Sequence, residues 1–384
     1  MKRINELFTN INKSNQEFIS FWVDVCNIES PTECKAGVDA VGEYFINYAK
    51  KQGFDIEIFE QTISGNCVCI TMNKENPNKP ITLSGHIDTV HPVGSFGNPA
   101  VKTEGDYIYG PGVTDCKGGT VAAMMAMNAL KAIGFKKRPI RLLLQSDEEV
   151  NSMLSSKQTI NYICNKAKDS IAFLNCESTR GTSAVLWRKG ICRYRLDIMG
   201  KSIHASRCAE GGASAIAEAC HKILEFEKIK DKDGITFNCG IINGGTTPNT
   251  VPDKCSFVAE ARFNSQEELE FVEKTIREVA QKQYIDGTVC KIERTGLRPA
   301  MEKTDRNFEL LEKINEIYRK CGLPELTARQ SLGGSDAADV TVYGIPCVDS
   351  IGVAGDKIHT PEEYARISSL VEAAKRIATV CLFI

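Results

Sequence analysis

The feature that most constrains this chain is a repeated switch of hydrophobic period. Short apolar runs at Cys67–Met72, Ile81–Ser84, Ile140–Gln145 and Ile171–Asn175 are interleaved with stretches of helical spacing at Asn15–Cys26, Val38–Gly53 and Gly119–Phe135. Strands alternating with helices predict an α/β fold, a mostly parallel sheet sandwiched by helices. The pattern then changes. Ile191–Met199 alternates like a half-exposed strand, Gly212–Phe226 is helical, and Thr236–Ile242 and Cys255–Phe263 are strand-like. Gln266–Lys282 is a charged amphipathic helix, and Val289–Arg294 is a strand again. This β-α-β-β-α-β order suits a ferredoxin-like antiparallel sheet with two helices on one face. The α/β pattern resumes with a helix at Asn307–Cys321, a turn at Gly333–Gly334, a strand at Pro346–Ser350 and a helix at Pro361–Cys381. One domain over 1–181 and 297–384 is therefore expected to be interrupted by an inserted domain over 182–296.

A length of 384 residues suits two domains, and 42% hydrophobic with 25% charged residues suits a large core. The net charge of −2 points away from nucleic acid and anionic membranes as partners. MKRINELFTN has no signal-peptide core, and the longest apolar region, Val121–Ile133, is broken by Asn128 and Lys131. The sixteen cysteines form no C-x-x-C pair and read as small buried hydrophobes in a reducing compartment, so a cytoplasmic protein is expected. The closing Cys381-Leu382-Phe383-Ile384 loosely fits a prenylation box, but no polybasic segment precedes it and it reads as a helix end.

Polar chemistry collects at predicted strand ends, where open α/β sheets build their sites. His86 and Asp88 follow Ile81–Ser84, and their two-residue spacing lets a carboxylate fix the ring of a ligating histidine. Asp115 sits among glycines in Gly110-Pro111-Gly112-Val113-Thr114-Asp115, either a simple helix cap or a bridging carboxylate. Asp147, Glu148 and Glu149 follow the apolar strand Ile140–Gln145, and such packed acids repel unless cations compensate. Glu177 follows Ile171–Asn175, and His359 precedes the last helix. Each is weak alone. Together, two of only five histidines, one Asp and two Glu make a mixed nitrogen and oxygen set for two divalent metal ions, with zinc suited and cobalt or manganese as alternatives.

The motifs SGHIDTV, GPGVTDCKGG, SDEEV, NCEST, GKSIHAS, GGTTPNTVPD, GGSDAAD and KIHTPEE occur in that order over nearly the whole chain. The set resembles the co-catalytic zinc exopeptidases, a family that includes glutamate carboxypeptidase, aminoacylase, acetylornithine deacetylase and succinyl-diaminopimelate desuccinylase. KGICRYRLDIMGKSIHAS and GGTTPNTVPD are most similar to the glutamate carboxypeptidase branch. The resemblance implies His86, Asp115 and Glu177 on one metal and Asp115, Glu149 and His359 on the other, with Asp115 bridging. It implies Glu148 as general base and Asp88 as the carboxylate behind His86. It implies a homodimer through the inserted domain, with His204 reaching the neighbouring subunit's site. Asn249, Arg262 and the Gly333-Gly334-Ser335-Asp336 turn would bind substrate, the turn taking a carboxylate on its backbone N–H groups.

The implied reaction is hydrolysis of an amide bond beside a free carboxylate in a small peptide or N-acyl amino acid. Deacylase or dipeptidase action on the same site, and a non-catalytic dimeric relative, are the alternatives. Other residues read more plainly: His91 and His221 as surface or packing residues, Trp22 and Trp187 as core or interface anchors, and Cys116 and Cys176 as packing beside ligands. Arg298 is a second, weaker candidate for a carboxylate contact.

Overall fold

The computed structural model describes residues 2–229 and 234–384. The chain forms two compact units: one comprises residues 1–187, 303–330 and 335–384, and the other residues 188–302 and 331–334.

The first unit is built on a six-stranded sheet. Its spatial order is Asp55–Phe59, Cys67–Met72, Ile140–Gln145, Ile81–His86, Ala172–Asn175 and Cys347–Val348. The last four run parallel, whereas the first two pair antiparallel. The sheet is thus mixed, with its parallel part where continuous apolar runs predict strands buried on both faces. Cys67–Met72 and Ile81–His86 are buried throughout. Helix Lys117–Ala132 lies against the sheet and helix Ser369–Phe383 packs on it. Glycine is required for that close approach: a Cβ on Gly119 would stand 1.7 Å from the Cys176 carbonyl oxygen.

Register decides where the chemistry emerges. His86 pairs with Gln145, and Ser84 with Asn175, in parallel ladders. The residues that follow these strands leave the sheet at one edge. A separate antiparallel sheet, ordered Gly355–Asp356, Tyr364–Arg366, Tyr107–Tyr109 and Lys102–Glu104, holds two more segments. The glycine turn beginning at Gly110 leaves one of its strands, and His359 lies in the loop between two others.

The sequence pattern misplaced two features. The last helix starts at Ser369 rather than Pro361, because Tyr364–Arg366 is taken by the small sheet. The N-terminal segment Lys2–Lys13 is a helix with Ile4, Leu7 and Ile11 buried, which the signal-peptide reading passed over.

The second unit is a four-stranded antiparallel sheet ordered Thr236–Gly244, Lys254–Phe263, Gly190–Met199 and Val289–Arg298. With helices Ala215–Glu227 and Gln266–Gln281 the chain order is β-α-β-β-α-β. Lys254–Phe263 alternates buried and part-exposed residues, as one covered face demands. Leu196, Phe226, Phe237, Phe257, Phe263 and Ile276 fill the core. Ser265 caps the second helix by accepting from the Glu268 N–H at 3.1 Å.

Candidate active site

His86 ends its strand with its ring almost wholly buried. Its Nδ1 lies 3.0 Å from the Asp88 carbonyl oxygen and 3.3 Å from the Asp88 carboxylate, which leaves Nε2 facing the other site groups. Asp88 has no solvent exposure. It accepts from the Thr32 hydroxyl at 2.7 Å and from the backbone N–H groups of Glu148 and Glu149, each at 3.2 Å. One carboxylate therefore orients the histidine and anchors the main chain of both adjacent glutamates.

Asp115 is the centre of the cluster. Its Oδ1 is 3.1 Å from His86 Nε2, which is 3.7 Å from a Glu177 oxygen. Its Oδ2 is 3.2 Å from His359 Nε2, which is 3.2 Å from a Glu149 oxygen. The five residues proposed from the sequence as metal ligands thus converge, with Asp115 offering one oxygen to each half. The Asp115–Cys116 peptide bond is cis. His359 and Lys357 both take positive φ, near +62° and +61°, a conformation a side chain adopts rarely and one that clusters at functional sites.

The electrostatics show why cations fit. Burial and the charge of Asp115 push Glu149 up to about 8, and the same two causes hold Glu177 well above the carboxylate range. Hydrogen bonds to Asp115 and Glu149 raise His359 to about 10. Burial works to lower His86, but Cys116, Asp115, Asp88 and Glu177 together hold it well above its usual value. Asp115 is held low by the two histidines despite its burial. Three carboxylates cannot share so small a buried space as anions, so protons hold places that divalent cations would fill. Donor atoms of His86, Asp115 and Glu149 lie within 4.8 Å of one another, as do those of His86, Cys116 and Glu177. The imidazole and carboxylate members are a donor set that suits zinc, cobalt or manganese. Burial pushes the Cys116 thiol well above its usual value, which keeps it protonated and fits its reading as packing.

Beside Glu149 opens a cavity of about 640 Å³, lined in part by Thr32, Glu33, Cys34, Val90 and Val93. Two groups here were not singled out from the sequence as functional. His91, read as surface or packing, is buried and contacts Glu363 at 2.7 Å, and Glu363 was not singled out at all.

The remaining candidates, apart from Ser335, lie in the second unit. His204 is exposed, and its Nδ1 accepts from the Ser206 N–H at 3.3 Å. A neutral ring then carries its proton on Nε2. Asn249 is exposed, and its carbonyl accepts from the Ala205 N–H at 2.8 Å. Arg262 donates to Glu260 at 3.1 Å and to the Leu332 carbonyl at 2.6 Å. Arg188, missed from sequence, is buried and donates to the carbonyls of Gly333 at 3.1 Å and Gly334 at 3.2 Å. A Cβ on Gly334 would stand 2.7 Å from Arg298 Cδ, so two arginines support this turn and glycine is required above one. Ser335, in the first unit, spends its hydroxyl capping helix Asp336–Val342 and accepting from Asn175 at 2.9 Å.

The fold and this convergence of histidines and carboxylates define a metal-dependent hydrolase. Residues 82–382 match the profile of peptidase family M20/M25/M40, and the chain belongs to that family. It is 28% identical to carboxypeptidase G2 of Pseudomonas sp. (strain RS-16) over 374 residues, 96% of this chain and 89% of that protein. Its fold is that of aminopeptidase PepT from Bacillus cereus ATCC 10987, with a TM-score of 0.78 and 22% identity, covering 96% of this chain and 98% of that one. The Bacillus subtilis YXEP protein, a dinuclear metal binding peptidase, matches with a TM-score of 0.69 and 16% identity over 97% and 98% of the two chains.

Proposed function

We propose that this chain is a two-zinc carboxypeptidase-like enzyme that cleaves an amide bond beside a free carboxylate, in a small peptide or N-acyl amino acid. One observation carries the reading: the two oxygens of Asp115 are divided between His86 and His359, each of which faces one further glutamate. His86, Asp115 and Glu177 would hold one cation and Asp115, Glu149 and His359 the other. When bound, such cations supply Lewis acidity for the amide carbonyl and for a water at neutral pH.

Glu148 is the proposed general base. Asp88 fixes its backbone N–H, which supports a defined approach to the reacting water. Glu148 accepts the water's proton and then passes it to the leaving nitrogen. His204, supplied by the partner of a homodimer, donates from Nε2 to the carbonyl oxygen as charge develops. Arg262, Asn249 and the turn at Gly333, Gly334 and Ser335 hold the substrate carboxylate and so fix the position of the amide.

The inserted unit, taken as residues 182–296, is the proposed dimerisation domain. Exposed Ile241 and Ile242 on one edge strand and Val289 on the other support this, because apolar side chains on sheet edges favour a covering partner. No described helix is long and apolar enough to cross a membrane. Sixteen free cysteines, ten of them buried, support a reducing, cytoplasmic setting.

The test is turnover of dipeptides, N-acyl amino acids and folate-like glutamates after chelation and after adding back zinc or cobalt. Metal-dependent release of a carboxyl-terminal amino acid is expected. Chelator-resistant activity, or equal turnover of amides lacking a carboxylate, would refute the reading.

A further inference from the structure

Glu363 has no solvent exposure, and strand pairing places it. Tyr364 lies opposite Tyr109, so the residue before it meets the turn that begins at Gly110. The Glu363 carbonyl accepts from the Gly110 N–H at 3.3 Å. Its carboxylate accepts three more backbone N–H groups of that turn: Gly112 at 3.1 Å on Oε2, and Thr114 at 2.9 Å and Asp115 at 3.0 Å on Oε1. His91 Nε2 approaches Oε2 at 2.7 Å, and the His91 ring stands edge-on to Phe96 with centroids 4.9 Å apart.

We infer that the buried Glu363–His91 pair is the device that fixes the main chain of Asp115 and so divides its two oxygens between the two halves of the metal centre. The inference rests on the proposed metal centre. The carboxylate of Glu363 bonds to main-chain N–H groups and to His91, and it acts through the Gly110–Asp115 turn as a positioning residue. A carboxylate suits the task because its two oxygens accept from all four N–H donors at once. An amide in its place would turn an NH₂ group toward N–H donors. A buried anion left short of donors is costly, so the turn and the pair hold each other in place. Glu363 also lies four residues after His359. The same short segment thus delivers one ligand and locks the bridging one.

This chain and its H91F, H91Q and E363Q variants separate this role from simple structural support. The readouts are cobalt affinity by competition with a chromophoric chelator, the visible spectrum of the cobalt-loaded protein, the thermal midpoint of the metal-free protein, and kcat with KM. H91F and E363Q should weaken cobalt binding by about 10–100-fold and change the spectrum. Their kcat should fall with KM little changed. H91Q, whose amide can donate in place of Nε2, should return affinity, spectrum and metal-free midpoint close to wild type, while H91F stays folded without metal at a lowered midpoint. If E363Q does not fold, the H91F and H91Q pair decides. Unchanged cobalt affinity and spectrum in folded H91F, or an H91Q protein no better than H91F, would overturn the role alone. A wild-type chain that binds no cobalt would remove the metal centre and this role together.

Discussion

The two units hold their candidate functional groups in different ways. In the first, both carboxylate oxygens of Asp88 have partners, His86 is oriented from behind, and the Asp115 turn is tied by Glu363. In the second, His204 and Asn249 are exposed, and His204 is steadied by one serine. A cage for cations must be built against the repulsion of its own carboxylates, so it needs a buried scaffold before the cations arrive. Groups that meet a substrate need exposure, and a rigid sheet beneath them is enough.

The largest effect expected is from E148Q, which should keep both metals and lower kcat by about 10²–10⁴-fold; normal turnover would remove Glu148 as the base. H204A should lower kcat by about 10²–10³-fold with KM little changed. Mixing H204A with E148Q should regain activity in heterodimers, and a mixture as inactive as its parents would place His204 outside the partner's site. R262A should raise KM for carboxylate substrates by about 10–100-fold, the scale of a lost charge-assisted hydrogen bond, and leave carboxylate-free amides unaffected. Equal losses on both would remove the carboxylate contact.

The smallest effect concerns stability. Glu149 is raised by burial and Asp115, so the unfolded chain releases that proton first, and the metal-free fold loses this stability as pH rises from about 4.5 to about 8. His359, raised to about 10, adds a loss in the same direction above about 6.5. Metal-free protein should therefore melt lower at pH 8 than at pH 5, and added zinc should remove the difference. Hydrogen exchange should place the change in the first unit, and protection lost equally from the second unit would break the comparison.

His86, Glu149 and Glu177 were legible as neighbours because parallel strands end at one edge, so a His or Glu just after each apolar run can be assigned to a common place. The order of the inserted unit was legible because one-sided burial leaves a two-residue alternation. The small sheet was not, because strands as short as Tyr107–Tyr109 and Tyr364–Arg366 carry too few residues to show a period. Glu363 and His91 were missed for a related reason. Their pairing spans 272 positions, and neither residue looks unusual in its own segment.

Hydrophobic period and strand-end chemistry are local properties, so the order of residues alone carries the α/β frame, the inserted β-α-β-β-α-β unit and the identity of the donor groups. Which oxygen of Asp115 faces which histidine, the anchoring of both glutamates by Asp88, and the two arginines beside the glycine turn emerge on folding. Those facts depend on register and burial, which set distances between residues far apart in the chain, and no local pattern contains a distance.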